Sequence, residues 1–325
     1  MISTCRHNHP NPMPPDTAAS PQVAILLGTY NGEKYLPEQL DSYASQSYGN
    51  WKAWASDDSS SDATPKLLND YQRKWGEEKL AIINGPARGC TRNFLSLATN
   101  PAIVADYYAF SDQDDIWEPD KLQRALDWLQ TQPQDIPALY CSRTMFVDEA
   151  NHDIGVSQLY TRPPAFANAL VQNIASGNTM VFNHAARQLL CASGADADVY
   201  IHDWWLYLLV TACGGPVHYD PHPTLRYRQH DINLIGMNTG WKARLARIRM
   251  LFAGRLAEWD EQHVRALQKL DSHLIATTKQ TLRLFAMARH RRLLPRLVGF
   301  KRAGIYRQTR LGNVGLLIAA AFGKL

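Results

Sequence analysis

The front half of the chain alternates short apolar runs with longer amphipathic segments. The apolar runs predict strands at Val23–Leu27, Trp51–Ala55, Leu80–Ile83 and Asp106–Phe110. The helical spacing of apolar positions predicts helices at Glu33–Ser45, Ala63–Trp75, Asn93–Ala98 and Pro119–Gln130. Strands that alternate with helices of this length indicate β-α-β units. We therefore expect an α/β protein with a mostly parallel central sheet and flanking helices.

The second half is more mixed in pattern. It predicts strands at Ala138–Phe146, Thr179–Phe182 and Thr224–Arg228, and helices at His184–Cys191 and Trp204–Cys213. From Trp241 onward the pattern is helical, with Arg and Lys interleaved among apolar residues. We expect this last region to extend the α/β part of the chain with helices.

Polar loops follow three of the predicted strands, at Gly28–Gly32, Asp57–Asp62 and Asp112–Asp115. In parallel sheets ligands bind at the carboxyl ends of strands, where such loops meet. Three polar loops at one edge therefore favour a ligand site there over an isolated turn.

The third loop is the most informative, because Asp112, Asp114 and Asp115 crowd three carboxylates into four residues. Crowded carboxylates repel one another unless a cation neutralises them. Mg²⁺ and Mn²⁺ take carboxylate oxygens and leave positions for substrate phosphates, so the loop suggests a metal that holds a diphosphate. The alternative is a solvated acidic turn that caps the next helix.

Composition narrows the class of protein. Five scattered cysteines without C-x-x-C spacing argue against a disulfide framework and a zinc cluster, and they favour a reducing compartment. No run of about 18 apolar residues indicates a spanning helix. Charge is uneven: residues 1–240 carry 16 Lys and Arg against 26 Asp and Glu, whereas residues 241–325 carry 18 against 4. An acidic front part therefore precedes a strongly basic region.

The ordered motifs of the chain resemble those of the family-2 glycosyltransferases, which have a nucleotide-diphospho-sugar-binding GT-A fold. The matching segments are TYN at 29–31, SDDS at 56–59, GCTRNF at 89–94, DQDD at 112–115, HDWW at 202–205 and YRQHDIN at 227–233. Each motif alone is weak, but their order over residues 22–236 is specific, and it is most similar to the rhamnosyltransferase-like branch. The resemblance implies a GT-A domain at 22–236. Before it, residues 1–21 are rich in Pro, Asn and His and predict a disordered tail, and after it the charge and the helical pattern predict a basic helical region at 237–325.

The resemblance implies that several of these segments supply the nucleotide-sugar site. The residues of that site are Thr29, Tyr30, Asn31, Glu33, Asp57, Asp58, Arg92, Asn93, Asp112, Gln113, Asp115 and Trp117. The first loop would line the base, and Asp58 would accept the N3–H of uracil or thymine with support from Asp57. Arg92 would close the other side of the nucleotide. Helix capping by these loops and core packing of Trp117 remain open as alternatives.

The resemblance also implies the reacting groups. Asp114 would hold Mn²⁺ or Mg²⁺ against the diphosphate, with His230 completing the metal site. Asp203 would be the general base that takes the proton of the acceptor hydroxyl in an inverting transfer. Its alternative role is a helix N-cap. His202 stands where the family often has an acidic residue, so its role is open.

The basic region outside the resemblance suits a peripheral contact with an anionic membrane surface, where a lipid-linked glycan acceptor would lie. A solvated helical face or an oligomer contact is the alternative, and no motif accompanies the charge to indicate nucleic-acid binding. We expect a cytoplasmic protein with this contact at the inner face of the membrane.

The sequence thus predicts a metal-dependent inverting glycosyltransferase. It would move a sugar, with L-rhamnose as one candidate, from a UDP- or dTDP-sugar to a hydroxyl of a cell-surface polysaccharide or lipid-linked glycan. A catalytically silent nucleotide-binding partner in a glycan-assembly complex and a phosphoryl-transfer enzyme are the alternatives. A dinucleotide oxidoreductase is disfavoured, because no G-x-G-x-x-G follows the first strand.

Overall fold

A nine-stranded mixed sheet organises residues 20–229 and 255–325, the part of the chain that the computed structural model describes. The strands are β1 (Val23–Thr29), β2 (Trp51–Asp57), β3 (Leu80–Asn84), β4 (Tyr107–Ser111), β5 (Ile116–Trp117), β6 (Leu139–Val147), β7 (Asp153–Val156), β8 (Val181–Asn183) and β9 (Val217–Arg228). The helices of the front part are α1 (Leu36–Ala44), α2 (Thr64–Trp75), α3 (Cys90–Thr99), α4 (Lys121–Leu129), α5 (Phe166–Ala169), α6 (His184–Ser193) and α7 (His202–Ala212). Helices α8 (Arg255–Lys269), α9 (Ala276–Arg289), α10 (Leu293–Ala303) and α11 (Arg310–Ala321) follow.

The strand order is β3-β2-β1-β4-β8-β6-β9-β5, with β7 paired to β6. Strands β3, β2, β1 and β4 pair in parallel, and β6 pairs in parallel with β9. Strand β8 is antiparallel to both β4 and β6. The six strands β1, β2, β3, β4, β6 and β9 therefore run in one direction, and β8 runs against them. The predicted mostly parallel α/β sheet is therefore confirmed, and the carboxyl ends of β1, β2 and β4 share one edge.

Strand β1 lies at the centre because both its faces are apolar. Val23, Ile25 and Leu27 pack in one core with α1, α2 and α4, whereas Ala24 and Leu26 pack in the other with α3, α6 and α7. A strand covered on both sides reads as a continuous apolar run rather than an alternating one. This is the pattern that the sequence shows.

Two helices illustrate how the sequence sets their ends. Helix α2 has Pro65 in its first turn and ends at Gly76, whose φ of +89° favours glycine. Helix α7 is buried along its whole length, and apart from Thr211 its residues after the first two are apolar or aromatic. Such a helix belongs in a core, so its first turn, which carries Asp203, is held rigidly at the sheet edge.

Strand β9 departs most from the prediction, since it begins at Val217 rather than Thr224. Pro221 and Pro223 lie inside it, and the register with β6 shifts at this point: Ser142 pairs with Asp220 and the next partner pair is Arg143 with Pro223. Proline in a sheet is confined to edges and bulges, and a bulge is where these two lie. Strands β5 and β7 and the short helix α5 were not predicted.

Helices α8 to α11 confirm the predicted helical extension, and they pack into the same core as α7. Leu267, Phe285, Phe300 and Leu316, one from each helix, are buried in that core. The predicted boundary at residue 236 and nearly all of the predicted tail at 1–21 lie outside the described residues, so the domain division stays a prediction. Within the ranges described, no helix is long and apolar enough to cross a membrane.

Candidate functional site

The first two strand-end loops are joined by hydrogen bonds. The Thr29 hydroxyl donates to Asp57 Oδ1 at 2.9 Å, and the Asn31 N–H donates to Ser60 Oγ at 2.9 Å. Asn31 Oδ1 in turn accepts the N–H of Ser61 at 2.8 Å. Asn31 adopts a φ of +48°, a conformation that Asn tolerates better than most residues. The predicted meeting of these two loops is therefore confirmed.

Asp58 and Asn93 hold the far side of the second loop. Asp58 is buried, and its two oxygens accept the N–H groups of Ala87 and Gly89 at 2.6 and 2.8 Å. Asn93 is buried against Ser56, donating to its carbonyl at 2.9 Å and accepting from its hydroxyl at 2.5 Å. Each Asp58 oxygen keeps a lone pair for a further donor, so this geometry is compatible with a base N–H.

Gln113 ties the acidic loop to the first loop. Its side chain accepts the Tyr30 N–H and donates to the Tyr30 carbonyl, both at 2.8 Å. The Tyr30 side chain is left 59% exposed beside this link. Glu33 instead reaches the second loop, where it accepts the Ala63 N–H at 2.8 Å. The loops after β1, β2 and β4 thus form one connected rim.

The acidic loop concentrates negative charge in a poorly solvated place. Burial, with the nearby charges of Asp114 and Asp203, raises the pKa of Asp112 to about 7. Burial, with Asp114 and Asp112, raises the pKa of Asp115 well above its usual range. Asp115 Oδ1 is buried without a hydrogen-bond partner within the described residues. Desolvation and mutual repulsion both disfavour the ionised forms, so a cation at this edge would relieve the crowding.

A buried lysine that the sequence analysis missed lies beneath this loop. The Lys121 ammonium donates to the Asn178 carbonyl at 2.6 Å and lies 4.5 Å from the centre of the Trp117 ring. The Asn178 amide donates to Asp115 Oδ2 at 2.7 Å. Burial lowers the pKa of Lys121 to about 7, although Asp115 and Asp112 oppose that shift. The sequence held one indication of this role. Lys121 begins helix α4, and the helix dipole disfavours a cation at that end.

Asp203 is held at the start of α7 by backbone donors. Its Oδ1 accepts the Trp204 N–H at 2.5 Å, and its Oδ2 accepts the Gly177 N–H at 2.9 Å. Burial raises the pKa of Asp203 to about 6, and the two N–H bonds oppose that shift. A carboxylate with this pKa is ionised at neutral pH and can still take a proton, as a general base requires.

Other predicted residues serve the scaffold around the site. Trp117 is buried edge-on against Tyr43, with ring centres 4.8 Å apart. Arg92 donates to the carbonyls of Ala195 and Ala197 at 3.1 and 2.8 Å. His202 is stacked on Phe94, and burial lowers its pKa to about 3, so it is a neutral packing residue. Ligand contacts of Trp117 and Arg92 stay predictions.

Arg228, in the last of the matching segments, is buried. Its guanidinium donates to Glu38 Oε2 and the Glu149 carbonyl at 2.7 Å each, and to the Asp114 carbonyl at 3.3 Å. Arg228 therefore supports the backbone of the acidic loop. His230 lies outside the described residues. No cluster of three His, Cys, Asp or Glu side chains arranged to hold a metal occurs among the residues that are described.

Comparisons with known proteins show the family of the chain. Residues 24–190 match the profile of the family described as Glycosyl transferase family 2. The dTDP-rhamnosyl transferase RfbG of Shigella flexneri is 29% identical over 234 residues, which cover 68% of this chain and 78% of that protein. An uncharacterized protein of Mycobacterium tuberculosis, Rv1520, is 26% identical over 210 residues, which cover 64% of this chain and 59% of that protein.

A solved structure shows the same fold. Residues 1–349 of S. aureus TarS, crystallised in complex with UDP-GlcNAc, superpose with a TM-score of 0.50 at 15% identity. The superposition covers 88% of this chain and 93% of that one. The likeness therefore extends beyond the family match into the helices that follow the sheet.

Proposed function

The chain belongs to glycosyl transferase family 2, and from that premise we propose that it is a metal-dependent, inverting transferase of a nucleotide-linked sugar. The observation that carries the proposal is Asp203, a buried carboxylate beside the acidic loop with a pKa of about 6. Inversion is typical of this family. It needs one base on the acceptor side and stabilisation of the leaving group on the other.

The transfer uses Asp203 and the acidic loop in separate roles. The acceptor oxygen attacks the anomeric carbon while Asp203 takes its proton, and the bond from that carbon to the diphosphate oxygen breaks. The nucleoside diphosphate leaves with the electron pair of that bond. The backbone donors of Gly177 and Trp204 keep the carboxylate oriented, so the proton acceptor needs no rearrangement during the reaction.

Mn²⁺ or Mg²⁺ would be held by Asp114, with Asp112 beside it. The residues fit such an ion, because burial and mutual repulsion raise the pKa of Asp112 and of Asp115, and a bound cation would relieve both effects. Mg²⁺ is commonly bound by one or two carboxylates together with substrate phosphates, so a cage of three protein ligands is not needed. When bound, the ion neutralises charge on the diphosphate.

The donor that we propose is a dTDP- or UDP-sugar, with L-rhamnose as the first sugar to test. The similarity to a dTDP-rhamnosyl transferase supports this choice. The nucleotide-sugar site comprises the residues around the connected rim, with Asp58 turned toward the base. We propose a hydroxyl of a cell-surface polysaccharide or lipid-linked glycan as the acceptor, reached from the cytoplasmic face by a peripheral membrane contact.

The test is release of nucleoside diphosphate from a panel of donors with Mn²⁺, with Mg²⁺ and with a chelator. We expect turnover with dTDP- or UDP-sugars that the chelator abolishes. Asp114→Asn should lose both turnover and metal-dependent nucleotide binding, whereas Asp203→Asn should lose turnover and keep binding. Asp127→Asn, an exposed carboxylate on α4, is the matched control and should keep both.

Two outcomes would contradict the proposal. Turnover that survives complete removal of divalent ions would exclude metal dependence. Nucleotide binding without donor cleavage, for every donor and in the presence of glycan acceptors, would favour a silent binding partner instead.

A further inference from the structure

The outward side of helix α11 is apolar, although it is exposed. Its exposed apolar side chains lie within two turns of one another and are Leu311, Val314, Leu317 and Ile318, at 73%, 51%, 61% and 43% exposure. We name this set the outer apolar face. The opposite side of the helix, with Leu316, Ala319 and Ala320, is buried in the core. A surface helix normally turns polar residues outward, so α11 departs from the expected pattern.

Helix α10 packs beside α11, and its exposed surface carries both apolar side chains and cations. The Arg296 guanidinium donates to the Ala320 carbonyl at 3.0 Å and so links the two helices. Leu294 and Val298 are 73% and 50% exposed, and the exposed cations Lys301 and Arg302 follow them on the same helix. Arg310 and Lys324 lie at the two ends of α11.

The charge of this region is entirely of one sign. Residues 272–325 contain eleven Lys and Arg and no Asp or Glu. A symmetric contact with a second copy would place this patch against itself and bring cation toward cation. Nucleic acid would satisfy the charge but would leave the exposed leucines in water. An anionic lipid surface satisfies both, since its headgroups attract the cations and its acyl boundary takes up the apolar side chains.

We propose that the outer apolar face of α11 and the cationic end of α10 form a docking surface for an anionic lipid bilayer. The proposal rests on the membrane contact named in the proposed function, and it specifies the residues and the lipid chemistry. Helix α8, in the same core as α10 and α11, packs against α7 through His263 on Trp204, with ring centres 5.0 Å apart. Docking would therefore hold the helix that carries Asp203 near the bilayer.

The test is co-sedimentation of the full chain with vesicles of phosphatidylcholine alone and with vesicles that also contain phosphatidylglycerol. No sugar donor is present. We expect at least about tenfold stronger partitioning onto the anionic vesicles, weakened by salt. Lys301→Glu/Arg302→Glu and Leu317→Glu/Ile318→Glu should each reduce that partitioning by at least about tenfold.

The matched control is Val104→Glu/Leu159→Glu. It makes the same charge change as Leu317→Glu/Ile318→Glu. The altered residues are also apolar and exposed, at 69% and 46%, but lie outside the C-terminal helices. We expect it to bind vesicles as the unaltered chain does. Far-UV circular dichroism and the thermal shift caused by nucleoside diphosphate, measured without vesicles, establish that each variant is folded. These measurements also keep failure of docking separate from failure of the transferase proposal.

Three results would overturn the proposal. The first is equal partitioning onto both kinds of vesicle, or none onto either. The second is equal loss in the control and in the two test variants. The third is self-association in light scattering, or binding to duplex RNA, that Leu317→Glu/Ile318→Glu abolishes while vesicle binding is absent from the start.

Discussion

Replacement of Asp203 by Asn should separate catalysis from stability, because the two depend on the same buried charge in opposite directions. The pKa of Asp203 is raised from an ordinary value near 3.8 to about 6, so the ionised form is less favourable in the folded state. At pH 7 that difference corresponds to roughly 3 kcal/mol. The ionised Asp203 carboxylate therefore lowers the free energy of unfolding at neutral pH.

The sign follows from proton linkage. The folded state holds the proton more tightly than the unfolded state, so the contribution to stability is present below about pH 4 and is lost as pH rises through about 6. Asn cannot ionise, and it leaves one of the two backbone N–H groups without its acceptor, at a cost of about 1 to 3 kcal/mol. The free energy of unfolding of the variant, relative to that of the native chain, should therefore rise by roughly 3 kcal/mol between pH 4 and pH 7.

Urea unfolding of both proteins at several pH values measures this difference directly, because the other titrating groups are common to both. Activity should change the other way. Loss of a general base lowers kcat/KM by about 10² to 10⁴, and for the native enzyme kcat/KM should fall about tenfold per pH unit below about 6. A parallel pair of stability curves, or a variant that retains more than about a tenth of the native kcat/KM, would refute the assignment of Asp203.

Three further substitutions test the surroundings of the site. Lys121→Met should lower the free energy of unfolding by about 3 kcal/mol in urea, because it removes the buried cation beside two carboxylates; a change below about 1 kcal/mol would mean that the carboxylates are already neutral. Gly177→Ala should lower both transfer rate and stability, the latter by about 1 to 3 kcal/mol, because the new Cβ would lie 2.9 Å from His202 Nε2 and 3.2 Å from Asp203 Cβ. Asn93→Ala should cost about 2 kcal/mol by thermal unfolding through loss of both bonds to Ser56, whereas exposed Asn69→Ala should cost much less.

The strand-end loops could be predicted from the sequence because their signal is local. Each apolar run ends in a polar loop within a few residues, and parallel β-α-β units bring such ends to one edge. Strand β9 could not be read in full, because Pro221 and Pro223 interrupt its pattern and the bulge that accommodates them depends on pairing with β6. Strand β5 has only two residues and exists through its pairing with β9.

Support of the acidic loop was also hidden, since it comes from distant parts of the chain. Lys121 meets the carbonyl of Asn178, and Arg228 meets the carbonyl of Asp114, 114 residues away. An arginine is normally expected to lie in solvent. The structural role of Arg228 becomes visible only in the fold, where the side chain is buried. The candidate reacting residues were therefore accessible to motif reasoning, whereas the residues that hold them in place were not.

The link between Gln113 and Tyr30 has a consequence for how donor choice could change. Both backbone groups of Tyr30 bond to one side chain, and a Cβ at Gly32 would lie 2.3 Å from Gln113 Oε1. Positions 30–32 and 113 therefore form one structural unit, in which a larger residue at 32 would displace the Gln113 side chain from the Tyr30 backbone. We expect these positions to covary among descendants of this chain. A library aimed at new donors should vary them together, or else leave Gln113 fixed and change only the outward side chain of Tyr30.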